Sequence, residues 1–173
     1  MTFVNNYNSP IGKITMASDG ISLRGLWFEG QKYFASTISG ETKEKSLSVF
    51  EQTKSWLDIY FSGQEPDFTP KLRLNGSDFR KRVWQILLTV PYGHTVSYGE
   101  IARIIAREKG IEKMSARAVG GAVGHNPVSI IVPCHRVVAS NGSLTGYAGG
   151  TDKKISLLKI EKTDLSKIFL PKN

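Results

Sequence analysis

A chain of 173 residues and 19.1 kDa, 40% of it hydrophobic, supports one domain or two small ones around a real core. Its single cysteine excludes an internal disulfide framework and any cysteine-rich zinc site. No apolar run approaches the ~18 residues of a membrane span, and the first residues lack the basic and apolar segments of a secretory leader. A soluble cytoplasmic protein with a reduced thiol is expected.

The net charge of +8 is unevenly placed. Residues 1–76 carry eight bases and eight acids, whereas residues 77–173 carry fifteen bases and seven acids. A neutral half joined to a basic half points to a polyanion such as nucleic acid, with a merely solvated basic surface as the alternative.

In chain order, Ile11 to Ala17 and Ile21 to Phe28 read as two strands joined across Asp19-Gly20. Leu47, Phe50, Leu57 and Phe61 then recur at helical spacing. The stretch Gly63 to Pro70, with two prolines, followed by Asn75-Gly76, has the composition of a linker. The first half is thus a small α/β unit. Without cysteine, histidine or a phosphate-type glycine loop, it reads as a supporting scaffold.

The second half is helical. Ser77 can cap a helix that turns Phe79, Val83, Trp84 and Leu87 inward. Ser97-Tyr98-Gly99-Glu100 has the form of a capping box opening another helix, with Ile101, Ile104 and Ile105 on its apolar side. After Gly110, the run Ser115 to Gly124 predicts a short helix, and the pair resembles a helix-turn-helix. Each interior glycine costs a helix about 1 kcal/mol relative to alanine, so Gly120 and Gly121 need a reason. Close approach of DNA and tight packing against the core are both adequate. Arg117 is the only long side chain in that run, suited to touching nucleic acid.

Ile130 to Val138 is an apolar, β-type run broken by Cys134-His135-Arg136. A buried free cysteine is most often a small core residue, yet histidine and arginine are costly to bury without partners. A thiol near its ordinary pKa of about 8.5 is a poor nucleophile, and a neighbouring base corrects that. On an extended strand Cys134 and His135 would face opposite sides, so either the backbone turns at Cys134 or a water bridges the two. Few acids in this half could orient such a base; Glu161, flanked by Lys159 and Lys162, would be unremarkable as a surface charge.

At this point the residues resemble a family. Ile131-Val132-Pro133-Cys134-His135-Arg136-Val137 is similar to the active-site signature of the O6-alkylguanine-DNA alkyltransferases. Further matches follow in the same order: Val96-Ser97-Tyr98, Arg117 to Ala122, Asn126-Pro127-Val128 and Gly146 to Gly150. The first half matches loosely, in size and in Ser9-Pro10-Ile11-Gly12.

The resemblance implies a small ribonuclease H-like α/β domain over residues 1–76 and a helical domain with a helix-turn-helix over residues 77–173. It implies irreversible, stoichiometric transfer of a methyl or larger alkyl group from O6-alkylguanine in duplex DNA to Cys134, leaving O4-alkylthymine open as a second substrate. His135, acting through a water, would take the thiol proton, and Glu161 would fix the imidazole. Tyr98 would protonate guanine N3 and help rotate the phosphate as the nucleotide flips, and Asn126 would support the turns of the site. Arg117 would fill the gap left by the flipped base, with Ala118, Gly120 and Arg136 also at the DNA. Val137, Tyr147, Ala148 and Gly149 would form the base pocket. Many relatives carry serine where Ala148 stands, so any hydroxyl contact there is lost.

No cofactor is implied. The structural zinc of some relatives has no ligands in this first half. The partner would be alkylated duplex DNA approached from the minor groove, by a monomer whose cooperativity on DNA stays open, in the cytoplasm or at a nucleoid. A non-enzymatic relative that only binds alkylated DNA would lack Cys134. A turning-over Cys-His hydrolase or thiol peroxidase would not require Tyr98 or Arg117, and a simple transcriptional regulator would leave the cysteine constellation without a purpose.

Overall fold

The computed structural model describes residues 1–144 and 147–169, so Gly146 of the matched glycine-rich run lies outside the described residues. The first half opens with strand β1 (Thr2–Ser9), which pairs antiparallel with β2 (Gly12–Ser18). β2 in turn pairs with β3 (Leu23–Phe28), and a short edge strand β4 (Thr42–Glu44) lies parallel to β1. The order is β3-β2-β1-β4. Ile14 and Met16 of β2 and Leu26 and Phe28 of β3 are fully buried, and helix α1 (Ser48–Phe61) brings Phe50, Leu57 and Tyr60 into the same core.

Between the two pieces of the expected linker, Gly63 to Pro70 and Asn75-Gly76, the chain is strapped to this sheet. The Leu23 N–H donates to the Lys71 carbonyl at 2.7 Å, and the Arg73 N–H donates to the Leu23 carbonyl at 3.0 Å. An outer strand edge offers unpaired backbone groups, and residues 71–73 satisfy them. The same edge further along binds the second half: Leu26 donates to Pro127 and accepts from Ser129, each at 2.9 Å. β3 therefore holds the stretch that leads into Cys134.

Helix α2 (Asp78–Leu87) is capped by the Ser77 hydroxyl, α3 (Tyr98–Lys109) by Ser97, and α4 (Ala116–Gly124) by Ser115, each accepting an N–H three residues on. Gly110 ends α3 in the left-handed conformation. The Trp84 indole of α2 donates to the Ala122 carbonyl of α4 at 2.8 Å, locking the two helices together. Strands β5 (Val96–Ser97) and β6 (Val137–Val138) form a short parallel pair, and α5 (Thr151–Ile160) ends at Glu161. One continuous apolar cluster, from Ile14 through Trp84 to Leu157, joins both halves.

Of the run read as an extended strand, only Val137–Val138 pairs. Ile130 is in the left-handed region at φ 71°, and Cys134–Arg136 forms a single 310 turn. The β-branched residues before that pair fill the core from a series of turns: Ile130, Ile131 and Val132 are all buried. Among the described residues no helix is long and apolar enough to cross a membrane, and no cluster of three or more His, Cys, Asp or Glu could hold a metal ion.

Candidate active site

The turn at residues 134–136 is held from below by Asn126. Its amide donates to the Val132 carbonyl at 2.8 Å, and its carbonyl oxygen accepts the Val128 N–H at 3.0 Å. One buried side chain thereby closes the loop that presents Cys134, which is 5% exposed. Burial pushes the Cys134 thiol up. The Asn126 amide, the Lys154 ammonium and nearby backbone N–H groups pull it back only in part. At rest the sulfur is a protonated thiol.

The turn sends His135 to the opposite side from solvent, where it is fully buried. Its Nε2 lies 2.5 Å from Glu161 Oε2. Burial would raise the Glu161 carboxyl, but hydrogen bonds and charge from His135 and Arg136 outweigh it and hold the group well below the usual carboxylate range. Burial lowers His135 despite the carboxylate beside it, so the ring is neutral at pH 7. An ionised Glu161 cannot donate, so Nε2 carries the proton and Nδ1 is the bare, basic nitrogen. That Nδ1 has no hydrogen-bond partner among the described residues.

Glu161, unremarkable as a surface charge, is 2% exposed and the hub of the site. Its Oε2 also accepts the Tyr60 hydroxyl at 2.6 Å, and its Oε1 accepts Arg136 Nε at 2.8 Å and the Gly93 N–H at 3.3 Å. Two residues here carried no signal in the sequence. Tyr60 sits 101 positions before Glu161, on a helix otherwise read as scaffold packing. Its role makes the first half part of the site. Lys154, on α5, is 1% exposed and donates Nζ to the Val137 carbonyl at 2.5 Å. Burial pulls its ammonium down to about 8, and the charge of Cys134 works against that. A lysine in an amphipathic helix reads as solvated, and only the fold reveals that it is not.

Arg136, expected at the DNA, is 9% exposed, bound to Glu161 and, through Nη1 at 2.7 Å, to the Val90 carbonyl. Its cation also lies over the Tyr92 ring. Once Glu161 is buried, its charge needs a buried counter-ion, and Arg136 is that group.

The outer face is different. The β5/β6 pair sets Val96 beside Val137 and Ser97 beside Val138, bringing Tyr98, the first residue of α3, next to the turn that carries Cys134. Burial first, and then the cysteine charge, push the Tyr98 hydroxyl up to about 12, so it keeps its proton. On α4, Arg117 and Ala118 are exposed and Gly120 is half-buried. A Cβ on Gly120 would meet the Tyr98 ring at 3.8 Å, an ordinary contact, and one on Gly121 or Gly124 would meet nothing. Core packing therefore does not demand these glycines. Val137 is fully buried, and Tyr147, Ala148 and Gly149 form a half-buried wall. Gly149 is needed there: a Cβ would fall 2.6 Å from the Tyr147 ring.

The chain is similar to known proteins in both halves. Residues 3–74 match the family model of the 6-O-methylguanine DNA methyltransferase ribonuclease-like domain, and residues 78–163 match that of its DNA-binding domain. A methylated-DNA–protein-cysteine methyltransferase of Mycobacterium tuberculosis is 44% identical over 163 residues, 94% of each chain. One from Methanosarcina acetivorans is 43% identical over 156 residues, 90% of this chain and 95% of the other. The crystal structure of Mycobacterium tuberculosis OGT in complex with DNA superposes with a TM-score of 0.80 at 43% identity, covering 92% of both chains. The O6-methylguanine DNA methyltransferase of Methanococcus jannaschii gives 0.61 at 29% identity, over 98% of this chain and 99% of that one. The chain belongs to the 6-O-methylguanine DNA methyltransferase family.

Proposed function

We propose that this protein repairs DNA by direct reversal: it takes the alkyl group of O6-alkylguanine in duplex DNA onto Cys134, once per molecule. The observation that carries this reading is the chain from Glu161 through the neutral His135 to the 310 turn bearing the molecule's only thiol. His135 Nδ1, directly or through one water, takes the Cys134 proton, and Glu161 stabilises the imidazolium that forms. The thiolate attacks the alkyl carbon, the C–O6 bond breaks with its electron pair on guanine, and Tyr98 protonates N3 of the leaving base. An S-alkyl cysteine is a stable thioether, so the site is spent.

A thiol only 5% exposed cannot meet a base stacked in a duplex, so the nucleotide is extruded. Arg117 on the exposed start of α4 fills the gap, while Ala118 and Gly120 let the backbones approach. Minor-groove docking suits a helix with almost no base-reading side chains. Asn126 supports the loop, and Val137, Tyr147, Ala148 and Gly149 receive the base. O6 of the base can only accept a hydrogen bond, so the Ala148 N–H, and not its carbonyl, which accepts the Lys32 N–H, is the group suited to contact it. The protein acts as a monomer in the compartment that holds the DNA.

Intact-mass measurement after mixing with a duplex bearing one O6-methylguanine tests the reading. One methyl per protein, mapped to Cys134 and absent in Cys134→Ser, is expected. Repaired DNA beside unmodified protein would overturn it.

A further inference from the structure

The segment that follows β3 leaves the first half and lies against the second. The Lys32 N–H donates to the Ala148 carbonyl at 3.0 Å, and the buried Gln31 side chain accepts both the Phe28 N–H and the Ser129 hydroxyl. Between this segment and α4 opens a cleft of about 330 Å³. Lys32 and Tyr33 line it from the first half, and Gly120, Gly121, Gly124 and His125 from the second. None of its lining residues is acidic.

The cationic side of the cleft is built rather than loose. The Tyr33 ring stacks on His125 with centroids 3.8 Å apart and planes 24° from parallel, and the Lys32 ammonium lies over the Tyr33 ring, 5.3 Å from its centroid. Tyr33 sits at φ 60°, a strained conformation for tyrosine that persists only where surrounding contacts over-determine it. His125 is itself tied to the Gly121 carbonyl through Nδ1 at 2.8 Å. A carbonyl only accepts, so Nδ1 of the neutral ring carries the proton and Lys32 is the cation of the cleft. Lys32 is exposed, and among the described residues no carboxylate pairs with it. The first half has as many acids as bases, so a cation held here, away from any acid, is a matter of position rather than of excess charge.

The cleft also continues the face of α4 already placed at the duplex. Arg117, Gly121 and Gly124 stand at i, i+4 and i+7, which sets them in one row along the helix. A Cβ on Gly121 or Gly124 would meet only open space, so the row is bare beyond Arg117. The cleft therefore begins about 10 Å along the helix from Arg117, at a rise of 1.5 Å per residue. We infer that it seats the sugar–phosphate backbone of one DNA strand, with Lys32 paired to a phosphate, so that the first half forms part of the DNA interface. The inference rests on the DNA-repair reading above. Phosphate is the chemistry that an acid-free cleft with an unpaired ammonium and a bare backbone floor would recognise.

The test measures duplex affinity against salt concentration. A Cys134→Ser background lets a duplex bearing one O6-methylguanine be bound without being consumed. Each phosphate neutralised on B-DNA contributes about −0.9 to the slope of log K against log salt. Lys32→Ala should therefore make the slope shallower by about 0.9, with a cooperative melt showing that the variant is folded, and Lys32→Arg should keep it. Lys43→Ala removes the same charge from the same half on β4, at the opposite edge of the sheet, and should leave the slope as it was. A slope unchanged by Lys32→Ala, lost equally in Lys32→Arg, or lowered as much by Lys43→Ala overturns the inference and leaves DNA repair standing. A parent protein that binds the duplex with no dependence on salt, or not at all, overturns the DNA reading as well.

Discussion

At the scale of single residues, the site is organised around a carboxylate that water never reaches. Glu161 accepts from Tyr60, His135, Arg136 and the Gly93 backbone, so all its lone-pair directions are engaged. Removing one partner of such a buried ion pair is worth about 3–5 kcal/mol, because the remaining charge is left uncompensated. Glu161→Gln should lower stability by that order at pH 7 in denaturant melts. The pH dependence has a definite sign. Glu161 and His135 both titrate below their unfolded values in the folded protein, so the unfolded chain binds more protons as the pH falls. Stability is full above about pH 6.5, and is lost as the pH drops through the histidine range and then below the ordinary carboxylate value of about 4.3. In Glu161→Gln the loss below that lower value should largely vanish; melting curves that fall in parallel with wild type would refute the assignment.

Tyr60 and Tyr98 separate positioning from chemistry. Tyr60→Phe removes a hydrogen bond to a charged group, worth about 1.5–3 kcal/mol, and frees Glu161 to bind a proton more readily. The acid limb of its transfer profile should therefore move to higher pH, a shift that a merely structural role would not produce. Tyr98→Phe keeps the ring against Gly120 and removes the hydroxyl that would donate the proton. It should slow transfer at least tenfold while duplex binding changes little; equal losses in rate and binding would remove Tyr98 from proton transfer.

At the scale of elements, α4 carries the clearest conflict between local preference and use. Gly121 is exposed in mid-helix, and a Cβ there meets nothing. Gly121→Ala should therefore stabilise the protein by about 1 kcal/mol on helix propensity alone. If DNA approaches this face, the same change weakens duplex binding. A rise in melting temperature with lowered affinity is the expected pair of results, and destabilisation would show that the glycine serves packing after all. The caps of α2 and α3 were legible in sequence because Ser77 and Ser97 each act on a backbone N–H only three residues away, and the same role of Ser115 on α4 was not read there. Strand β1 was not, since Asn5, Asn6 and Asn8 disfavour a strand and only pairing with β2 on one side and β4 on the other overrides them. The run before Val137 misled for the opposite reason. Its β-branched residues serve burial in turns, and the 310 turn takes Cys134 and His135 off the extended strand that would have set them on opposite faces. The signature around Cys134 was readable as a resemblance, whereas Tyr60 and Lys154 depend on contacts between distant parts of the chain.

At the scale of the whole molecule, the charge division and the structural division do not coincide. All of the +8 lies after residue 76, which suits a DNA-facing half, yet the core runs through both halves without a break. β3 hydrogen-bonds residues 127 and 129, Tyr60 reaches Glu161, and Lys32 reaches Ala148. A fragment of residues 77–173 would keep Cys134, His135, Glu161, Tyr98 and Arg117 and the entire excess of positive charge. It would lose the strand that holds the approach to Cys134 and the hydroxyl that fixes Glu161, and would expose Val128, Ile131 and Leu157 from the shared core. That apolar surface, turned from core to solvent, is what costs the fragment its stability. The fragment should bind duplex DNA weakly through charge, melt without a cooperative transition and take up methyl at least a hundredfold more slowly than the full chain. Adding residues 1–76 in trans should restore part of the rate, because the missing contacts are non-covalent. Methyl uptake by the fragment at the full-chain rate would mean that the first half is only a scaffold, and that Tyr60 can be dispensed with.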